Sequence, residues 1–402
     1  MNKIYDAIIV GAGPSGATAA LRLAQRGVRD VLFLDRDRYP RDKTCGSGLS
    51  PMAIALADEL GFGRELRERS YPIEQLWLGT PGGRRILLRS NVETVVMLRR
   101  DYDFMLVERA KAAGAEFRDG TRVRELIVRD GRTAGVRLES GDELFAKYVF
   151  VAGGAHDKWT NDPRPKRSIS TLMGWWEGFD VEPHTMEMIF DKNLSPLYGW
   201  LFPESNTRVN IGICIDGQDD DGNKAQRSVR EVFDQFLKDH YGSRLAKAQQ
   251  VGRLKGHPIV YTTWISDTTA PGRITIGEAA RITHHVTGEG IYQAMQTGVY
   301  AADAVASILR DGVREERAFA TYEWKLRARF VPGFVLGHGL RALMKTTVLD
   351  KLADAYQNDT VRALVTRTVG SAMVGRRISE VDGPSSSAAR SMGSGPVPSP
   401  TA

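Results

Sequence analysis

Cysteine is nearly missing from this chain: Cys45 and Cys214 are the two it has in 402 residues, far apart in sequence. That scarcity excludes a disulfide framework and a cysteine-based zinc site, and it fits a reducing cytoplasm. Long apolar runs are missing too, and none reaches the length needed to cross a bilayer. Basic residues are scattered, without the aromatic interleaving of a nucleic-acid surface, so no nucleic-acid partner is expected. A strong charge bias is also absent. The net charge is +6, with 26% charged and 42% hydrophobic residues, as in an ordinary soluble globular protein. Modest basicity suits an anionic cofactor or an acidic membrane surface, and equally a plain soluble surface. The chain enters structure by about Tyr5 with no signal peptide ahead of it, so the expected location is cytoplasmic, with peripheral contact at a membrane.

Glycine, by contrast, is plentiful, and its placement is informative. In "DAIIVGAGPSGATAALRLAQRG", Asp6 to Gly27, an aliphatic run from Ala7 to Val10 reads as a buried parallel strand. Gly11, Gly13 and Gly16 follow as G-x-G-x-x-G. The first allows a tight turn, the second lets a pyrophosphate approach the backbone, and the third lets the following helix pack against the strand. That helix starts near Pro14 and points its free N–H groups at the phosphates. The next strand, Val31 to Leu34, ends in Asp35, about 20 residues past the last glycine, where an acid can accept hydrogen bonds from ribose hydroxyls. Strand, glycine turn, helix and acid together predict a dinucleotide site.

The rest of the chain alternates. A helix is expected from Tyr102 to Ala113, then a hairpin turning at Asp130–Gly131 and an apolar strand from Tyr148 to Ala152. Residues 167–214 read as β-rich and aromatic, with a helix from Ser228 to His240 after them. Strand, glycine loop and a long helix return between 270 and 312. The expected architecture is α/β: a Rossmann-type dinucleotide-binding domain in three pieces (1–70, 95–155 and 270–312), an inserted β-sheet substrate domain (71–94 and 156–269), and a C-terminal helical region (313–380). The Ser/Pro/Gly-rich residues 383–402 read as a disordered tail.

Four stretches in this order resemble the FAD-dependent geranylgeranyl reductase family, within the wider p-hydroxybenzoate hydroxylase-like flavoprotein superfamily. They are the glycine turn with Asp35, "YPRDKTCGSGLSP" (39–51), "YGWLFPESNTRVNIGI" (198–213) and "IGEAARITHHVTGEGI" (276–291). The resemblance covers roughly residues 4–330. It implies FAD as cofactor, with NAD(P)H or a reduced electron carrier as external reductant, since no second nucleotide fingerprint is present. It implies that Arg41, Lys43, Cys45, Gly46 and Gly48 lie beside the isoalloxazine ring. Cys45 is then a candidate proton donor; as a residue on its own it reads equally as a small buried side chain. Arg100 matches the arginine that reaches the ribityl–phosphate region, with Asp103 in the first helical turn.

The resemblance also assigns Glu278 to a ribitol hydroxyl, where relatives carry Asp, and Thr287, Gly288, Glu289, Gly290 and Ile291 to the helix start facing the flavin N1–C2 edge. Tyr198, Trp200 and Phe202 match a Tyr-x-Trp-x-Phe-Pro motif. Alternation puts them on one face of a strand, a wall suited to an extended apolar or planar substrate. Of the adjacent Trp175 and Trp176 one can face the same pocket, and Trp176 is taken as the substrate-side residue.

Three departures stand out. His284–His285 replaces the Asn-Pro usual in relatives, which makes the pair candidate proton donors. Gly153 stands where many relatives carry the acid of an Ala-Asp-Gly turn. Cys214 stands where a second glycine is usual. The implied activity is reduction of C=C bonds of a prenyl or other hydrophobic substrate by hydride transfer from flavin N5, with a lipid or small hydrophobic molecule as substrate and an electron-donor protein as a further partner. The alternative is an FAD-dependent monooxygenase or halogenase acting on an aromatic natural product, and the lesser alternative a flavoprotein maturation factor. The halogenase branch shows Trp-x-Trp-x-Ile-Pro, which "YGWLFP" fits less well.

Overall fold

The computed structural model describes residues 3–160, 167–216, 228–261, 265, 268–356, 358, 360, 361 and 363. The proposed tail, 383–402, and part of the expected helical region lie outside them.

The first strand, Ile4–Val10, is the centre of an eight-stranded sheet. It pairs in parallel with Val31–Leu34 on one side and with Glu143–Val151 on the other. Arg273–Thr275 extends the parallel set beyond Glu143–Val151. All four strands point the same way, so their carboxyl ends deliver Gly11, Asp35, Ala152 and Ile276 to one edge. In an open parallel sheet that edge is where ligands bind. The strand Val31–Leu34 is an unbroken apolar run, and Ile4–Val10 and Glu143–Val151 end in one, because both faces are covered there. One face buries Ala7, Ile9 and Phe33 under the helices Pro14–Gln25, Arg99–Ala112 and Ile291–Asp311. The other buries Ile8, Val10 and Leu32 under the hairpin of Val123–Arg129 and Arg132–Leu138. That hairpin turns at Asp130 and Gly131, both with positive φ.

The helices that carry the site cross at close range. A Cβ on Gly298 would stand 2.5 Å from the Ser15 carbonyl oxygen, and one on Gly16 would stand 1.8 Å from the Gly11 oxygen. Backbone therefore packs on backbone, and the turn after Thr275 comes directly over the start of the first helix. Gly277 donates its N–H to Thr297 Oγ1 at 2.9 Å and completes this contact.

The second sheet has nine strands and lies mainly in residues 71–96 and 167–261. Its alternation divides the side chains cleanly. Leu201, Ile211, Ile213 and Trp176 pack outward on Phe233 and Phe236 of the helix Val229–Leu245. That helix starts with a capping box between Ser228 and Glu231, as its sequence predicts. Tyr198, Trp200, Met173 and Cys214 face the opposite way and form a separate apolar cluster. A 30-residue helix, Glu315–Met344, joins the two halves. Its Phe319, Tyr322, Leu326, Phe330 and Phe334 sink into the core of the first sheet, while Met344 at its end reaches the aromatic cluster of the second.

Candidate functional site

The glycine turn is built as the spacing requires. Gly11 has φ +109°, and a Cβ there would lie 2.3 Å from the Ala152 oxygen. Gly13 has room above it: the nearest atom to a Cβ is Nη2 of Arg41, at 3.6 Å. Asp35 is buried and already oriented. Its Oδ2 accepts from Ala12 N at 2.9 Å and its Oδ1 from Asp37 N at 3.0 Å. Tyr39 donates to the Ala12 carbonyl oxygen at 2.8 Å and fixes the turn from the other side.

Above this turn sits a buried charge cluster. Arg99 makes a two-pronged bond to Asp103, Nε to Oδ1 at 2.7 Å and Nη2 to Oδ2 at 2.8 Å. Arg41 Nη1 lies 3.1 Å from the same carboxylate. That nitrogen is buried and makes no hydrogen bond. Lys43 is close by, and burial, reinforced by repulsion from Arg99, lowers its ammonium to about 8 against the pull of Glu278. Burial raises the Glu278 carboxyl, with Lys43 and Arg99 opposing. Burial also holds His257 down at about 4, helped by the charge of Lys43. The group implied here is FAD, and the residues fit it. A cradle lies open over Gly13, and a buried guanidinium nitrogen that is ion-paired to Asp103 but makes no hydrogen bond has bonding capacity for an anionic ligand. Glu289 Oε1 and Gln293 Oε1 at the start of the long helix are likewise buried without a hydrogen bond.

The three remaining stretches meet next to this cluster. Arg99 reaches the Cys45 thiol by a side-chain hydrogen bond. The loop beyond Cys45 lies flat on the aromatic wall: a Cβ on Gly46 would be 3.0 Å from the Trp200 indole nitrogen, and one on Gly48 would be 3.1 Å from the Phe202 ring. Trp200 donates to Asn210 Oδ1 at 2.7 Å, and Asn210 donates to the Gly174 oxygen at 3.1 Å, which orients the indole. It lies across Gly212, where a Cβ would be 2.2 Å from its ring. Tyr198 donates its hydroxyl to the Thr287 carbonyl oxygen and ties the wall to the Thr-Gly-Glu-Gly loop. Burial pushes that phenol well above its ordinary range, so it stays protonated.

Four residues do not stand where the sequence reading put them. Arg100 is exposed, while Arg99 points inward. Four residues separate Arg99 from Asp103, one helical turn, and that spacing selects the inward arginine. Trp176 is on the far side of the sheet, packed against Phe233, and Trp175 is on the site side with Lys255 over its ring. The parity of the strand decides this: Met173 and Trp175 share a face with the residues opposite Cys214.

His284 is a clip. Its Nδ1 accepts from Thr287 N at 3.3 Å while Nε2 faces the Gly333 oxygen at 3.2 Å, which makes Nε2 the protonated nitrogen. His285 has 0% exposure and is enclosed by Tyr261, Phe334 and His338. Burial lowers it to about 3, so it is neutral and out of reach of a substrate. Neither is placed as a proton donor.

The missing acid at Gly153 has a counterpart. Asp157, four positions later in the sequence, folds back so that its Oδ2 would lie 2.4 Å from a Gly153 Cβ. It accepts from Trp159 N at 2.7 Å. It faces Arg281, the largest fully buried side chain, which donates to the Ala155 oxygen at 3.2 Å. Burial raises the Asp157 carboxyl. Asp157, Arg99, His257 and Trp175 are the site residues that sequence reasoning missed. The i, i+4 spacing signals Arg99 and strand parity signals Trp175. His257 arrives only through the pairing of Lys255–Tyr261 with Arg167–Glu177, which no local pattern announces.

Comparison with known proteins agrees with this geometry. The family model described as "FAD binding domain" matches residues 4–331. Similar sequences include a digeranylgeranylglycerophospholipid reductase of Methanospirillum hungatei, 27% identical over 82% of this chain and 83% of that protein. A menaquinone reductase of Mycolicibacterium smegmatis is 26% identical over 95% and 94%. Among solved structures, a geranylgeranyl bacteriochlorophyll reductase-like protein from Thermoplasma acidophilum superposes with TM-score 0.76 at 23% identity, covering 88% of this chain and 91% of that one. A flavin-dependent brominase gives TM-score 0.76 at 19% identity, covering 92% and 94%. At those identities the structures speak to the fold.

Proposed function

The chain belongs to the FAD-binding-domain family and is an FAD-dependent oxidoreductase; from that premise we propose that it saturates carbon–carbon double bonds of a prenyl chain carried by a lipid or quinone-like molecule. The observation that carries the reading is the junction of three stretches at one place: the Cys45–Gly48 loop lies on Trp200 and Phe202, and Tyr198 binds the Thr287 carbonyl. The names of the sequence relatives, reductases of a polyprenyl lipid and of menaquinone, support the same substrate class.

Bound FAD supplies a hydride to one alkene carbon, and a proton to the other completes the saturated bond. The chain's own residues do the rest. Gly11, Gly13 and Asp35 would hold the adenosine–pyrophosphate half, with Arg41 available to its phosphates. Glu278 would hold the ribityl chain, and Lys43 and Arg99 would supply positive charge to the ring system. The start of the long helix at Gly290 and Ile291 sets its N–H groups toward the same charge. Tyr198, Trp200, Phe202 and Trp175 exclude water and orient an extended apolar chain. Cys45, a half-buried free thiol beside this wall, is the proton source in this reading.

We read the second sheet with its outer helix as the substrate domain. The reductant, NAD(P)H or a reduced carrier protein, visits from outside, and the substrate class calls for peripheral contact with a membrane. The test is anaerobic: reduce the purified flavoprotein, add a prenylated lipid, and follow flavin reoxidation with mass spectrometry of the product. Gain of two hydrogens per double bond supports the reading. No anaerobic reoxidation by the prenylated lipid, with an aromatic compound converted to an oxygenated or halogenated product once air is admitted, overturns it.

A further inference from the structure

The long C-terminal helix has two apolar sides, and only one is used by the fold. Toward the protein, Phe330, Phe334 and Met344 are buried, and Met344 packs in the cluster that holds Tyr198 and Trp200. Toward solvent, Val335 is 61% exposed and Leu336 75%, with Leu340 and Leu343 exposed further along. At 3.6 residues per turn, Trp324, Pro332, Val335, Leu336, Gly339, Leu340 and Leu343 fall within one half of the helix circumference. From Pro332 to Leu343 this face is about 17 Å long, and it carries no charged residue that is exposed. Leu352, on the short helix Val348–Ala355, adds a further exposed apolar side chain. An apolar surface of this extent on one helix marks a contact site.

The charge around it selects the occupant. Residues 324–349 contain no Asp or Glu; of their cations Arg327 pairs with Glu323, Arg341 with Asp216 and Arg329 with the Tyr292 hydroxyl, and Lys325 and Lys345 stand at the border of the face. The first acids after them already have partners: Asp350 accepts from Gly82 N at 2.9 Å, and Asp354, at the surface, pairs with Arg84 at 3.0 Å. Lys345 and Lys351 are exposed at the end of the apolar face. No helix among the described residues is long and apolar enough to cross a membrane. An apolar helix face bordered by cations, on a helix that cannot span, has the chemistry of a segment that lies in the headgroup layer of an anionic bilayer.

We propose that the outer face of the helix Glu315–Met344, from Trp324 to Leu343 and with Leu352 beside it, docks this protein on an anionic lipid bilayer. The inner side of the same last turn roofs the aromatic wall, and Ser195 Oγ donates to the Met344 carbonyl oxygen at 3.3 Å to hold it there. Docking on the outer face therefore sets the mouth of the site against the acyl layer, so that a prenyl chain reaches Trp200 without crossing water. This deepens the reductase reading and rests on it for the direction of substrate entry. The docking itself stands on the exposed face and its charges.

The test is co-sedimentation of the full-length, FAD-loaded protein with vesicles of phosphatidylcholine alone and of phosphatidylcholine mixed with phosphatidylglycerol. Binding is expected to the mixed vesicles, weakening as salt is raised. The double variant Leu336→Glu/Leu340→Glu should lose at least about tenfold in vesicle affinity, since each leucine forfeits the burial of its side chain. It should keep its flavin absorbance and its turnover of a detergent-dispersed prenyl alcohol. Equal binding by the variant, or no binding by the wild type, overturns the proposal. A wild-type dimer in sedimentation that the variant splits into monomers overturns it in favour of a second copy of this chain. The two readings fail separately. Vesicle binding without reduction of any prenyl compound leaves the docking surface and removes the reductase, whereas turnover of the dispersed alcohol without vesicle binding does the reverse.

Discussion

The two sheets present the same problem in opposite ways. The first positions its ligand with backbone: Gly11, Gly13 and Gly16 make room, and helix ends supply the donors. The second, as the proposed substrate domain, would position its ligand with side chains: Tyr198, Trp200 and Phe202 form the surface, and Gly46, Gly48 and Gly212 yield the space those rings fill. A backbone site tolerates no added atom at its turns, because nothing nearby can move. A side-chain site has rotamers to give, so injury there changes selectivity before it changes the fold.

The largest effect that tests this contrast comes from a matched pair of glycines. Gly11→Val should abolish flavin binding and depress soluble yield, because its Cβ meets the Ala152 backbone at positive φ. Gly212→Val meets only the Trp200 ring. It should retain flavin, read by absorbance per chain, while turnover of a prenyl substrate falls by tenfold or more. Equal flavin loss in the two variants would erase the distinction between the sheets.

Next comes the buried carboxylate shared by the two halves of the site. Asp103→Ala leaves Arg99 and Arg41 buried without their counter-charge and should cost about 3–5 kcal/mol in denaturant unfolding. Arg100→Ala, on the same helix but exposed, should stay within about 0.5 kcal/mol. A similar loss at Arg100 would reverse the assignment of the inward arginine.

The tryptophan pair sharpens the contrast within one strand. Trp176→Ala removes a buried indole from the outer core and should cost about 3–5 kcal/mol with KM for substrate little changed among the molecules that remain folded. Trp175→Ala should do the opposite, raising KM several-fold with a smaller loss of stability. Steady-state kinetics and thermal melts on the two variants separate these outcomes.

The smallest effect is in pH. His285 is neutral in the fold, its value lowered from 6.5 to about 3, and His257 is lowered to about 4. The unfolded chain therefore binds protons at these positions below about pH 6.5 that the folded chain refuses. Their contribution to stability is complete above pH 6.5 and is lost as pH falls toward 4 and then 3. His285→Phe, which fits among Tyr261 and Phe334, should flatten this loss in melts recorded between pH 7 and 4. An unchanged slope would show that other groups carry the acid sensitivity.

Much of the first sheet was legible in advance because its signals are local. The glycine turn, the strand Val31–Leu34, Asp35 and the helix start at Ile291 all follow from neighbours in sequence. The hairpin at Asp130–Gly131 follows from turn chemistry in the same way. The helix expected at Tyr102 starts three residues earlier, at Arg99. Arg100 is singled out by its Arg-x-x-Asp spacing to Asp103, whereas on the helix the i, i+4 partner of that carboxylate is Arg99. The second sheet is less legible because its faces are set by partners far away. Trp175 and Trp176 look alike until the strand is placed opposite Arg208–Asp216 and the helix Val229–Leu245 covers one side. His284 and His285 read as reactive in a loop; it is the long helix, passing at Gly333 and Gly337, that encloses them.

The carboxylate of Asp157, turned back into the place beside Gly153, bears on how such chains are compared. A carboxylate reaches the space over Gly153 from four positions further along, with the buried Arg281 as its charged neighbour. Reading position 153 alone therefore misses a charge that the fold supplies from position 157.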